Sequence, residues 1–360
     1  MNTHMTRAWV EIDLGALRRN GAALAARAGC PLLPMVKADA YGLGAIAVAR
    51  TLEAIEPWGF GVAAVREGIE LRDAGITRPI VVFTPLASDD LRTVHTHGFI
   101  PALNSADEIR AWRALGGGAW HLAIDTGMNR AGVRWDCVAA LADLLRDNPP
   151  AGAFTHFHSA QLDDGSMPEQ ERRFREAIAR LPARPRHVHA ANSAGIARGV
   201  PGTWDLARPG IFLYGVGSGA GAQIEPEPVV HLRAPVVSIR TVNAGESVSY
   251  DATYRAPTDR RIATLAIGYA DGYRRALSNR GVALVHGRRA PVAGLVTMDM
   301  VMLDVTDVPC EVGDAATLIG CDGDDCLDVE TVARLADVSP YELLTGLKLR
   351  AERVYRDSHV

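Results

Sequence analysis

From about residue 30 to residue 215, short apolar runs alternate with amphipathic segments, and this alternation constrains the fold more than any other feature. The runs are PLLPMVK, WGFGVAA, PIVVFTP, FIPALN, AWHLAID, GAFTHFH, HVHAANS and GIFLYG. Between them lie IAVARTLEAI, VREGIELRDA, ADEIRAWRAL, CVAALADLLRD and EQERRFREAIARL, whose apolar residues recur at three and four. Such segments lay one face on a sheet. Eight strands, each followed by a helix or turn, predict a (β/α)8 barrel.

The pattern changes after Gly215. GVGSGAGAQIEPEPVV reads as a Gly/Pro linker, since no amphipathic helix follows its glycines as a dinucleotide loop would require. VVSIRTVN, RIATLAIGYA, VALVHG, APVAGLVTMDMVMLDV and AATLIG then follow without long helices between them, predicting a mostly antiparallel β domain. The expected division is a barrel over 11–228 and a β-rich domain over 229–360 together with residues 1–10. Ser339 as cap, Pro340 in first position and Glu342 closing a capping box predict one late helix.

Composition narrows the function class. A net charge of −4 with no basic patch argues against nucleic acid. No run of eighteen apolar residues predicts a membrane span, and MNTHMTRAWVEIDL lacks the apolar core and cleavage site of a secretory signal. Five scattered cysteines predict reduced thiols in a cytoplasm. CDGDDC, bracketed by Cys321 and Cys326, has no nearby histidine, so no metal site is expected.

Barrel chemistry sits at the carboxyl ends of strands. Those positions carry Lys37, then Asp125, Thr126, Met128 and Arg130, then His156 and His158. They continue with His189, Asn192 and Ser193, and with Arg208, Gly210 and Ile211. A lysine ending an apolar run either reaches solvent or does chemistry; its amine can form a Schiff base with a cofactor aldehyde.

VKADAYG, HLAIDTGMNRAG, THFHSA, HAANSAG, ARPGIFLYG, GESVSY, IGYADGYRR and GLVTMDM occur in the order found in alanine racemases, and the resemblance covers nearly the whole chain. It implies a pyridoxal 5'-phosphate enzyme of barrel plus C-terminal β-domain architecture, interconverting L- and D-alanine for the cell wall. Lys37 matches the family's cofactor lysine and Tyr41 its phosphate-contacting tyrosine. Ser193, with the amides of Gly210 and Ile211, would complete the phosphate cradle, with Asn192 beside it. Arg208 resembles the arginine facing the pyridine nitrogen, His189 the residue supporting it, and His156 the one packed near the ring. Arginine holds its proton far above neutral pH, so it donates a hydrogen bond without protonating the ring. That keeps the carbanion less delocalised and favours proton return at Cα.

Racemisation needs groups on both faces of Cα. Lys37 would serve one face and Tyr250, in GESVSY, the other. The family's tyrosine enters the neighbouring subunit's site, which implies a homodimer with shared active sites. Arg130 and the main chain of Met298 match contacts to the substrate carboxylate, while Tyr269 and Asp299 belong to the entrance.

Four positions depart from the pattern. Ala123 stands where many relatives carry a carbamylated lysine, Leu43 where histidine is usual, Asp251 where glycine is common, and Leu349 where some have a tyrosine. They leave open a racemase of serine or of broad specificity. A fold-type III decarboxylase and a non-catalytic cofactor carrier are the remaining alternatives. The Lys37–Tyr250 set argues against the first, and the long β domain against the second.

Overall fold

The computed structural model describes residues 6–199 and 204–358. Residues 1–5 and 359–360, assigned above to the β domain, lie outside the described residues. The chain divides into two compact units, one of Arg18–Leu213 with Gly217–Pro226, the other of Met1–Leu17 with Tyr214–Val216 and Glu227–Val360.

In the first unit six parallel strands pair in chain order: Phe60–Val62, Ile80–Val82, Ile100–Leu103, His121–Asp125, Gly152–Phe154 and His187–His189. Two extended segments close the ring. Residues 32–36 bond to the first strand (Val36 N to Gly61 O, 2.9 Å) and to residues 205–209 (Leu33 N to Ala207 O, 2.7 Å; Met35 N to Pro209 O, 2.8 Å). Residues 205–209 bond in turn beside the last strand (Asp205 N to Val188 O and Arg208 N to Ala191 O, both 2.8 Å). The result is a (β/α)8 barrel. Its strands read as continuous apolar runs because both faces are covered; Ile80, Val81 and Val82 are wholly buried.

One strand was misplaced by the sequence pattern. GIFLYG contains the 3-10 turn Ile211–Tyr214, and the eighth position in the ring belongs to residues 205–209. Asp205 and Arg208 break up the apolar signal there, and Pro209 has no N–H to extend the ladder. The expected helices form at Ala45–Leu52, Val65–Asp73, Ala106–Ala114 and Ser166–Ala179. The segment CVAALADLLRD splits into the 3-10 turn Val138–Leu141 and the short helix Ala142–Asp147. Two further helices, Leu14–Ala28 and Ser88–Thr96, were not among the expected segments.

The second unit is built on the long strand Val230–Val242, which pairs antiparallel with Trp9–Asp13, Arg260–Leu265 and Ala315–Asp322. Trp9–Asp13 also pairs in parallel with Glu352–Arg356. APVAGLVTMDMVMLDV is two strands rather than one, Arg288–Pro291 and Val301–Asp304, joined by a loop over 292–300. RIATLAIGYA leaves the sheet after Leu265. Glycines permit both departures: a Cβ on Gly294 would stand 2.5 Å from Val248 O, and one on Gly268 only 2.3 Å from Met298 O. The helix Pro340–Thr345 starts as expected, with Ser339 Oγ accepting from Glu342 N at 3.2 Å.

The expectation of reduced thiols is overturned at one place. Cys321 and Cys326 face each other across the hairpin of Ala315–Asp322 and Asp325–Leu327 and form a disulfide. A two-residue turn puts the pair in register, which an odd cysteine count conceals. Cys30, Cys137 and Cys310 are free.

Candidate active site

Lys37 is one of two lysines in the chain, the other being Lys348. It ends the extended segment 32–36 and opens an unusual turn. Ala38, Asp39, Ala40 and Tyr41 have φ of 52°, 55°, 52° and 57°, a left-handed turn of four non-glycine residues. Each costs about 1–2 kcal/mol relative to the right-handed form, so the run persists only where partners fix it. Those partners are visible: Ala40 N donates to Val36 O at 2.8 Å, Gly44 N to Asp39 O at 2.9 Å, and Ala45 N to Asp39 Oδ1 at 2.7 Å. Burial lowers the pKa of Lys37, as does the nearby Arg130; Glu67 acts in the opposite sense.

Tyr41, at the end of the turn, is buried. A Cβ on Gly210 would come within 2.5 Å of its hydroxyl, so Gly210 makes the room that Tyr41 occupies. Ser193 Oγ accepts from Gly210 N at 2.8 Å and from Phe212 N at 3.4 Å. Among the described residues its own O–H has no acceptor. Asn192 caps the helix Ser193–Arg198, its Oδ1 accepting from Gly195 N at 3.0 Å. Tyr41, Ser193, Gly210 and Ile211 are thereby gathered in one place.

Arg208 is buried and donates to the carbonyls of His189 (2.9 Å), Thr155 (2.5 Å) and Ala190 (3.2 Å). Burial brings its pKa down to about 9, still above neutrality. It also donates to His189 Nδ1 at 2.7 Å. A guanidinium only donates, so His189 carries its proton on Nε2 and gives it to His121 Nδ1 at 2.9 Å. Burial first, and the neighbouring positive charge of Arg208 among other groups, keep both imidazoles neutral, His121 near a pKa of about 3. His121 Nε2 is buried and has no hydrogen-bond partner among the described residues. His121 was not foreseen as a site residue, because on a strand it reads as an ordinary core position. Gly152 leaves space for it: a Cβ there would stand 2.5 Å from the His121 ring.

His156 is also held neutral, near a pKa of about 3, by burial and by Arg208, Arg130 and Lys37. Its backbone is pinned by Gln170, which donates to His156 O at 3.0 Å and accepts from His158 N at 3.0 Å. Arg130 follows Asn129, whose amide donates to Asp125 Oδ1 at 3.1 Å. Ala123 is buried and offers it no polar group. Lys37, Arg130, His156 and Arg208 thus act on a common region of the barrel unit.

In the β unit, Tyr250 opens the 3-10 turn Tyr250–Ala252 and is 70% exposed. Asp251 has φ of 57° and so adopts the conformation a glycine would take without strain. Ser249 Oγ donates to Leu295 O at 2.8 Å, joining this turn to the 292–300 loop that bears Met298 and Asp299. Tyr269 N donates to Thr297 O at 3.0 Å and Ala270 N to Met298 O at 3.1 Å. Tyr250, Tyr269, Met298 and Asp299 therefore sit on mutually braced loops of one unit. Sequence reasoning missed the brace itself: Arg350 grips Asp271 with two bonds (2.6 and 2.9 Å) and reaches Asp299 Oδ1 at 2.8 Å.

Residues 12–218 match the family model for the alanine racemase N-terminal domain, and residues 229–355 that for the alanine racemase C-terminal domain. An alanine racemase of Geobacter sulfurreducens is 39% identical, with 96% of each chain covered. Among solved structures, alanine racemase from Bartonella henselae with covalently bound pyridoxal phosphate superposes with a TM-score of 0.91 at 30% identity, covering 98% of this chain and 100% of that one. Alanine racemase from Bacillus anthracis with bound L-Ala-P gives 0.88 at 32%, covering 97% and 95%. Matched along nearly its whole length, in both units, this chain belongs to the alanine racemase family.

Proposed function

We propose that the chain interconverts L- and D-alanine with pyridoxal phosphate held on Lys37. The observation that carries this reading is the placement of Lys37, its pKa lowered, on a strained turn that also carries Tyr41, beside Gly210 and Ser193. The residues present fit that cofactor: a glycine-made opening, two hydroxyls and backbone amides suit a phosphate, and a buried arginine suits a ring nitrogen.

When bound, the cofactor supplies an aldehyde for an amine and a ring that draws electron density from Cα. Lys37, with more of its amine neutral than an ordinary lysine, takes and returns a proton on one face. Arg208 stays protonated and donates, backed by His189 and His121 in fixed tautomers. Arg130 orients the substrate carboxylate, and the main chain of Met298, carried on the same braced loops as Tyr250, is assigned to the carboxylate in the site that Tyr250 enters.

Tyr250 moves the proton on the other face. A side chain 70% exposed stands in bulk water, and a group that moves a proton to or from Cα has to be held within hydrogen-bond reach of it in an enclosed site. We therefore place it in the site of a second copy, as a homodimer with shared sites. The exposed Tyr269, Met298, Met300 and Leu349 of the same unit support such an interface. Among the described residues no helix is long and apolar enough to cross a membrane.

Chiral chromatography after incubation of the cofactor-loaded protein with a panel of L-amino acids tests this. L-alanine should give D-alanine up to an equal mixture; no conversion of any small amino acid would overturn the reading.

A further inference from the structure

We propose that Glu67, on the helix Val65–Asp73, is a positioning residue for Lys37, its carboxylate clamping the left-handed turn to the neighbouring strand of the barrel. Oε1 accepts from Ala38 N, the amide next to Lys37, at 2.7 Å. Oε2 accepts from Ala63 N at 2.7 Å and Ala64 N at 3.0 Å, just past the strand Phe60–Val62. Hydrogen bonds to an ionised acceptor are the strong ones. These three join the turn that bears Lys37 to the end of the next strand in the ring.

The same carboxylate sets the electrostatics of the amine. The groups acting on Lys37 are Arg130, from the loop after His121–Asp125, and Glu67; His156 faces it as a neutral ring. Asp39, inside the turn, is directed to Ala45 N. Burial and Arg130 disfavour the ammonium, and Glu67 is the anion that opposes them. Glutamine keeps the length of Glu67 but not its charge, and its NH2 would meet the donor of at least one joint. Aspartate keeps the charge but is one methylene short of spanning both joints.

This rests on Lys37 being the cofactor lysine, and the test separates the two ideas. The visible band of the cofactor-loaded enzyme is titrated with pH in wild type, Glu67→Gln, Glu67→Asp and the control Glu70→Gln, whose carboxylate pairs with Arg66 on the outer face. Glu67→Gln should lower the midpoint by about half a unit or more, Glu67→Asp by less, and Glu70→Gln not at all. Should Glu67→Gln not fold, Glu67→Asp alone decides. A midpoint equal to wild type in the folded Glu67 variants overturns the proposal. If wild type shows no band, the cofactor reading fails instead, and the same comparison is made by pH-dependent acetylation of Lys37 followed by peptide mass spectrometry.

Discussion

Asp271→Asn should destabilise the β unit by an amount its surroundings allow to be worked out. The Asp271 side chain is fully buried and receives Arg350 at 2.6 and 2.9 Å, Arg7 at 3.2 Å and the amide of Gly268 at 2.8 Å. Asparagine keeps the shape, removes the charge and turns one acceptor into a donor facing donors. Removing one partner from a buried pair costs about 3–5 kcal/mol. The two arginine side chains are each 39% exposed, and water recovers part of that, leaving about 2–3 kcal/mol. At roughly 2–4 °C per kcal/mol for a unit of this size, the melting temperature falls by about 4–12 °C.

The pH dependence gives a second check on the same change. Burial alone would raise the Asp271 pKa, but Arg350, the Gly268 amide and Arg7 outweigh it and hold the carboxyl below its ordinary value. A depressed folded-state pKa contributes stability that is present above the ordinary carboxylate range, near ~4, and is lost as pH falls through the depressed value. Urea unfolding of wild type and Asp271→Asn from neutral pH downward should show a constant gap that narrows only in acid. Equal stability at neutral pH, or a gap indifferent to acid, would refute the reasoning.

Gly152→Ala should force the buried His121 ring to move and cost about 1–3 kcal/mol in unfolding experiments, with an accompanying change in the visible spectrum of the loaded enzyme; an unchanged spectrum would separate His121 from the Arg208 chain. Tyr250→Phe should impair proton transfer on one face more than the other, read as unequal deuterium wash-in from L- and D-alanine; equal loss would remove Tyr250 from its role. Mixed dimers of Lys37→Ala with Tyr250→Phe should regain activity through one intact site per pair, and no recovery would argue against shared sites.

What the sequence disclosed follows from where each signal is written. Ile80–Val82 and Ile100–Leu103 are covered on both faces, so they appear as plain apolar runs. Lys37 announced itself because an amine at a strand end is out of place unless used. Residues 205–209 were hidden, since their place in the ring rests on backbone bonds around Arg208 and Pro209 rather than on apolar side chains. Glu67 was equally silent: its partners are amides 3, 4 and 29 positions away, and any solvated glutamate on a helix looks the same. The Arg350–Asp271 pair spans 79 positions and has no local signature. The loop over 292–300 was read as strand because its valines and methionines have strand-like composition, while its course is set by Gly294 and by the packing of Gly268 against Met298.

Everything assigned to catalysis depends on which amine takes the cofactor, and a chain with only two lysines makes that directly measurable. Borohydride reduction of the protein loaded with pyridoxal phosphate, followed by peptide mapping, should place the adduct on the peptide containing Lys37. An adduct on Lys348 instead, or no adduct at all, would contradict it.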